Sequence, residues 1–214
     1  MNFLPESIED YIKTHTETES EILKDINHET WEKVLNPRML SGHVQGRILS
    51  MLSHMINPNN ILEIGTFTGY SAICLAEGLQ ENGCIDTIDN NEELESIARK
   101  NFKRSGLEKK INLMVGDATQ IIPTLTKMYD LVFIDADKIN YSQYYDLIFD
   151  KVKTNGYIIA DNVLWSGKVT STPKNDDIDT LSIINFNAKI QSDNRVQNVL
   201  FGVRDGLMVI RKLI

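Results

Sequence analysis

Short apolar runs and longer periodic segments alternate along most of this chain. Ile61 to Ile64, broken only by Glu63, Cys84 to Ile88, Ile111 to Val115, Asp130 to Ile134 and Tyr157 to Ala160 read as buried strands. Between them apolar residues recur at the spacing of one helix face. These segments are Tyr70 to about Leu79, Asn91 to Ser105 with Leu94, Ile97, Ala98 and Phe102 on one side, and Tyr141 to Val152. The stripe of that last segment, Tyr141, Tyr144, Tyr145, Ile148, Phe149 and Val152, reads as core. Gly106 closes the helix before it, and a short helix is expected around Pro123. Strands alternating with helices predict an α/β fold, a mostly parallel sheet with helices on both faces. Val196 to Val203 and Leu207 to Leu213, joined by Arg204-Asp205-Gly206, read as a closing antiparallel hairpin.

The N-terminal pattern is different. Residues 5 to 36 read as two polar amphipathic helices, one opening at Pro5, the other after Thr16 or Thr18 and ending before Pro37. A third helix is expected from Ser41 to Ile56, with Val44, Ile48, Met51, Leu52 and Met55 at helical spacing, stopped by Asn57-Pro58-Asn59-Asn60. The expected organisation is one domain, 1–214, with a helical extension (1–56) ahead of the core (57–214).

At 214 residues and 42% hydrophobic content the chain can bury a full core. A formal net charge of -8 argues against unaided binding to nucleic acid or to an anionic membrane, since both use basic patches. The start, MNFLPESIEDYIK, is acidic without an apolar signal core, and no stretch reaches the ~18 apolar residues of a membrane helix. A soluble cytoplasmic protein is expected. Cys74 and Cys84 offer neither metal spacing nor a disulfide framework and read as core packing. His43 and His54 read as surface or packing residues, because no second metal-type ligand sits one helical turn away.

Gly65-Thr66-Phe67-Thr68-Gly69 turns the first strand into a helix. Glycines there let backbone pass close to a ligand, and the helix start offers free N–H groups. The dinucleotide fingerprint would need a glycine where Phe67 stands, so that ligand class fails on spacing. Asp89, about 24 residues after Gly65, occupies the position where open α/β folds carry an acid for two ribose hydroxyls. Asp117, in Gly116-Asp117-Ala118, reads as a ligand contact, an N-cap, or both. Two strands end in hard oxygen ligands: Asp135 from one, Asp161 and Asn162 from the other. Their combined charge of -2 suits an octahedral Mg²⁺ or a similar ion with sites left for substrate. The alternative is that they are loop acids capping helices.

Glu63-Ile64-Gly65-Thr66-Phe67-Thr68-Gly69 resembles the E-x-G-x-x-x-G motif of S-adenosylmethionine (SAM) dependent methyltransferases. The wording E-I-G-T-F-T-G-Y-S is similar to the caffeoyl-CoA and catechol O-methyltransferase branch. Asp135-Ala136-Asp137-Lys138-Ile139-Asn140-Tyr141 and Asp161-Asn162-Val163-Leu164-Trp165 are close matches to the same family, and the resemblance covers about residues 37 to 214. It implies a class I SAM methyltransferase, Rossmann-like, with a seven-stranded mostly parallel sheet and an antiparallel C-terminal hairpin. SAM would be bound through Glu63, Gly65, Ser71, Asp89, Asp117, Ala118 and Asp135, with Ser41 and either Met39 or Leu40 over it. Asp135, Asp161 and Asn162 would hold a divalent metal, Mg before Mn or Ca. Lys138 matches the family's base, against the alternative of a solvated surface lysine. The implied acceptor is a small ortho-dihydroxy aromatic, and the implied assembly a homodimer.

Plant members carry arginine and aromatic residues in the insertion after the second metal motif to hold coenzyme A. Here Ser166 to Asp179 offers only Lys168 and Lys174 as basic groups and no aromatic, which argues against a CoA thioester. The polar stretch Ser166 to Thr180, with Pro173, Asn175, Asp176 and Asp177, reads as a loop leading into a helix over Ile178 to Ile190. Two other functions compete. Some bacterial members methylate hydroxylated uridine in transfer RNA, against which the acidic charge argues. A non-catalytic interaction protein would not need intact metal, ribose and glycine motifs.

Overall fold

Pro5 precedes a first helix, α1 (Glu6–Thr14), whose first turn carries Glu6 and Glu9 and whose last turn carries Lys13, each matched to the helix dipole. The computed structural model describes residues 4–174 and 176–214. Residues 1–3 of the N-terminal stretch read above, and Asn175 of the polar insertion, lie outside the described residues. These residues form two compact units, 4–117 and 118–214.

In the first unit, α2 (Glu21–Lys33) starts behind Ser20 and not behind Thr16 or Thr18. The Thr16 hydroxyl is already used, donating to the Ile12 carbonyl at 2.7 Å and closing α1. A 3₁₀ turn at Pro37–Met39 leads to α3 (Gly42–Ile56). The expected apolar stripe of α3 is not its buried face: Met51 and Met55 are 61% and 75% exposed, while Gln45, Gly46, Leu49, Ser50 and Ser53 are buried. The cause is the closeness of α4 (Tyr70–Ala76). A Cβ on Gly46 would lie 2.7 Å from Tyr70 Cε1, and Ser53 Oγ donates to the Leu75 carbonyl at 2.7 Å. Small residues therefore line the contact. α4 ends at Ala76, short of the expected Leu79, and Gly78 follows where a Cβ would lie 2.3 Å from the His54 amide nitrogen.

β1 (Asn60–Ile64), β2 (Cys84–Asp89) and β3 (Ile111–Val115) pair in parallel, in the order β3-β2-β1. α5 (Glu92–Arg104) begins behind Asn91, whose side chain accepts the Glu93 N–H, and buries Leu94, Ala98 and Phe102. Gly106 closes this segment at φ +74, a left-handed turn that glycine takes without cost.

In the second unit, a short helix α6 (Ala118–Ile121) and a 3₁₀ turn at Ile122–Thr124 occupy the stretch around Pro123. β4 (Tyr129–Ile134), α7 (Tyr141–Phe149), β5 (Val152–Asp161), α8 (Ile178–Ser192), β6 (Val196–Phe201) and β7 (Leu207–Lys212) follow. The strand order here is β4-β5-β7-β6, with β4 and β5 parallel and the β5–β7 and β6–β7 pairs antiparallel. β5 starts at Val152, earlier than expected, because Val152 pairs with Tyr129 before an irregularity at Asn155 (φ +65) lets Tyr157 pair with Leu131. Val152 therefore belongs to a strand and not to the end of α7. Together the strands make a seven-stranded, mostly parallel sheet with an antiparallel C-terminal pair. Leu131, Val132, Phe133, Ile134, Ile158 and Ile159 are all 0% exposed, as parallel strands covered on both faces must be. Each such burial contributes about 1.5–3 kcal/mol. Among the described residues no helix is long and apolar enough to cross a membrane.

Candidate functional site

The first unit carries the glycine loop. Gly65 leaves β1 at φ +103 with its N–H on the Ile88 carbonyl at 2.8 Å, which ties the loop to β2. Gly69 sits at φ +85, and a Cβ there would lie 2.5 Å from Phe102 Cε1, so this turn needs glycine both for backbone and for space. Phe67 takes φ +50, unusual for a bulky residue. Asp89, at the end of β2, compensates: its Oδ2 accepts the Phe67 N–H at 2.6 Å and its Oδ1 the Asn91 N–H at 2.9 Å. Each carboxylate oxygen keeps a further lone pair for an incoming hydroxyl, and Asp89 is half-buried. A shallow recess opens beside it, lined by Thr66, Phe67, Asn91, Leu94, Leu113 and Val115.

Glu63 is 0% exposed. Its Oε2 accepts the Thr87 hydroxyl at 2.5 Å, and the Thr87 and Thr66 hydroxyl oxygens lie 2.5 Å apart. The acid thus acts on the loop from beneath, through two threonines that the sequence reading did not single out. Thr68 is fixed in the same way, its carbonyl accepting Asn101 Nδ2 at 3.0 Å and its hydroxyl accepting from Thr30 at 3.2 Å. Ser71 is buried in α4. Of the pair left open by the sequence, Leu40 is buried and Met39 is 62% exposed; Ser41 beside them is buried. Asp117 is exposed in front of α6, whose first residue, Ala118, is buried. His43 Nε2 donates to the Glu17 carbonyl at 2.7 Å and His54 Nδ1 to that of Ser50 at 2.8 Å, which are packing roles. Burial pushes the Cys74 thiol up to about 12, in keeping with a core cysteine.

The second unit gathers the acids. β4 delivers Asp135 and β5 ends in Asp161, 3% exposed, whose Oδ1 accepts the Asn162 N–H at 2.7 Å. Asn162 stands at φ +56, in the left-handed region that asparagine tolerates. Lys138 is only 8% exposed, so the solvated-lysine alternative falls. Its Nζ donates to Tyr141 Oη at 2.6 Å and to Asp135 Oδ1 at 3.3 Å, with the Trp165 ring centroid at 5.8 Å. Tyr141 Oη donates to the Asp161 carbonyl at 3.1 Å. Burial first, then the charges of Asp135 and Asp161, pushes this phenol well above its ordinary value, so it stays protonated. One phenol therefore links Lys138, and through it Asp135, to the main chain of Asp161.

The segment after Asp161 is held by groups that periodicity could not reveal. Val163 and Leu164 donate to the Gly206 and Asp205 carbonyls at 3.2 and 2.8 Å, Ser166 N–H reaches Asp205 Oδ1 at 2.5 Å, and Asn187 Nδ2 donates to the Val163 carbonyl at 2.9 Å. Asp137, in contrast, is spent on structure, accepting from Tyr144 Oη and, at 2.6 Å, from Asn140 Nδ2. In the insertion, Lys168 pairs with Asp177 at 2.9 Å, and Asp177 also caps α8 by accepting the Thr180 N–H at 3.3 Å. Among the described residues no group of three His, Cys, Asp or Glu could hold a metal. A metal here depends on two carboxylates and the Asn162 amide, hard oxygen donors that fit Mg²⁺.

The family described as O-methyltransferase matches residues 13–213. That match starts upstream of Pro37, where the motif resemblance began. Caffeoyl-CoA O-methyltransferase of Medicago sativa is 32% identical over 206 residues, covering 91% of this chain and 83% of its own. Tapetum-specific methyltransferase 1 of Arabidopsis thaliana is 33% identical, covering 98% and 94%. Among solved structures, an O-methyltransferase from Bacillus cereus in complex with SAH is 27% identical with a TM-score of 0.90, covering 96% of this chain and 97% of that one. O-methyltransferase TomG from Streptomyces achromogenes, in complex with SAM and involved in tomaymycin synthesis, is 26% identical with a TM-score of 0.90, covering 97% and 96%. Sequence and fold agree, and the chain belongs to this O-methyltransferase family, as a SAM-dependent member of the caffeoyl-CoA O-methyltransferase type.

Proposed function

We propose that this chain moves the methyl group of SAM to one hydroxyl of a small ortho-dihydroxy aromatic, with a divalent metal chelating the acceptor. The observation that carries the reading is the Asp135–Lys138–Tyr141–Asp161 cluster, in which a nearly buried amine bonds both the Asp135 carboxylate and the Tyr141 phenol, and that phenol donates to the main-chain carbonyl of Asp161. A site for simple anion binding has no use for two strand-end carboxylates there.

Asp89 takes the ribose of the donor through the lone pairs left on its two oxygens, and the loop carrying Gly65 lets backbone approach it. Asp135, Asp161 and Asn162 would hold the metal, whose charge would favour the ionised form of the acceptor hydroxyl. Methyl transfer then asks little of the protein beyond holding oxygen and methyl carbon in line. Lys138, in its neutral amine form, accepts the hydroxyl proton.

The acceptor is a free diol and not a CoA thioester, because the insertion has no arginine or aromatic and Lys168 is already paired with Asp177. Labelled SAM offered with a panel of catechols, a panel of monophenols and bulk transfer RNA tests the reading. Label should enter the catechols alone. Label in monophenols at equal rates would remove the chelated diol, and label in transfer RNA alone would change the substrate class.

A further inference from the structure

We infer that Tyr141 is the positioning residue for Lys138, an inference that rests on the base role proposed above. The phenol lies between the amine and the main chain. Tyr141 Oη takes the Lys138 hydrogen at 2.6 Å, which leaves its own hydrogen for the Asp161 carbonyl at 3.1 Å, with the Ile134 carbonyl farther off at 3.4 Å. The chain of donors runs one way, from the amine to the main chain of the strand that bears the second acid.

The ring cannot yield. Tyr141 is 0% exposed, opens α7, and packs edge-on against Phe186 of α8, itself 0% exposed, with centroids 5.5 Å apart at 82°. Lys138, by contrast, has a flexible four-carbon stem and a second partner available. Its contact with Asp135 is 3.3 Å, looser than the bond to the phenol. Without the hydroxyl, Asp135, a proposed metal ligand, is the partner left to the amine, which would close on it from 3.3 Å. Tyr141 thus limits the approach of the amine to Asp135 and registers it to the strand that ends in Asp161. A tyrosine kept only for core packing would need the ring alone.

Tyr141→Phe removes the hydroxyl and keeps the ring. At saturating Mg²⁺ and acceptor we expect kcat to fall at least tenfold while SAM affinity stays within about threefold, since the groups proposed to hold SAM in the first unit are untouched. In a Lys138→Ala background the same change should cost nothing further, because the residue acts through the lysine. Independent of turnover, competitive labelling of Lys138 by an amine reagent, read by mass spectrometry, should fall severalfold in Tyr141→Phe, because an amine closed on the Asp135 carboxylate is held as the non-nucleophilic ammonium. A loss in Lys138→Ala with none in Tyr141→Phe would overturn the inference and leave the base role standing. No loss in Lys138→Ala would overturn both. Unchanged labelling, or a Tyr141→Phe loss that multiplies fully onto Lys138→Ala, would overturn the positioning role alone.

Discussion

Asp89 accepts the backbone N–H of Phe67 at 2.6 Å, so the acid that ends β2 also holds the loop that leaves β1. Phe67 needs that support, because a bulky residue in the left-handed region costs about 1–3 kcal/mol. On the proposed reading the acid has two duties, one to the loop and one to the ribose.

Replacing it tests both. Asp89→Ala should lower SAM affinity at least tenfold, since each charged hydrogen bond is worth about 1.5–3 kcal/mol. Asp89→Asn keeps an acceptor for Phe67 and should lose less. Calorimetry that finds SAM affinity unchanged in Asp89→Ala would remove the ribose role and leave only the loop latch.

Chelation addresses the second unit. EDTA dialysis should abolish turnover, and added Mg²⁺ should restore it, while SAM stays bound, because the proposed ligands Asp135, Asp161 and Asn162 serve the acceptor. Full activity after exhaustive dialysis would point to a metal-free transferase. Loss of SAM binding along with turnover would mean that the ion supports the cofactor.

The strands were readable because those buried on both faces become continuous apolar runs, as Leu131 to Ile134 shows. Helix faces were readable only where packing is ordinary. On α3, close approach to α4 selects Gly46, Ser50 and Ser53, and the apolar period points elsewhere. Val152 fits a helix stripe by spacing but is taken by pairing with Tyr129. The motif residues Asp135 and Lys138 touch, and Lys138 reaches the Asp161 main chain through Tyr141, a residue that the apolar stripe marks only as core. Periodicity reports that Tyr141 is buried and says nothing of where its hydroxyl goes. Asp205 and Asn187 escaped for a related reason, since they act on the backbone of residues 163–166 from distant sequence positions.

Asp193 gives a pH prediction separate from the chemistry. Its carboxylate accepts from Arg195 Nε at 2.9 Å, from the Arg195 backbone N–H at 3.0 Å and from Tyr145 Oη at 2.8 Å. The Arg195 side chain is the main cause that holds this carboxyl well below the usual carboxylate range, against the opposing effect of burial. A depressed value in the folded state means stability present above the unfolded value of about 4 and lost as pH falls through the folded one. Asp193→Asn should thus cost about 1–3 kcal/mol at pH 7 by urea unfolding. The gap should begin to shrink below about pH 4 and continue to shrink as acid is added. A gap that stays constant between pH 7 and pH 3 would exclude this ion pair as its source.

Asp135 and Lys138 touch at 3.3 Å and would both look essential in a crude assay, but their proposed duties separate under the right conditions. Asp135 supplies charge to the metal, so Asp135→Ala should weaken metal binding and, through it, acceptor binding, and excess metal should rescue part of the activity. Lys138→Ala leaves all three proposed ligands in place. It should keep metal and SAM affinity yet slow the chemical step by about 10²–10⁴, the usual worth of a positioned base. Excess metal should not rescue it. Raising the pH should, because a chelated diol ionises increasingly without help and the missing base matters less. A Lys138→Ala rate within about threefold of the parent at pH 7 would be far below the loss expected of a general base. The near-burial of Lys138 against Tyr141 would then serve only the local packing, and the metal would have to activate the hydroxyl alone.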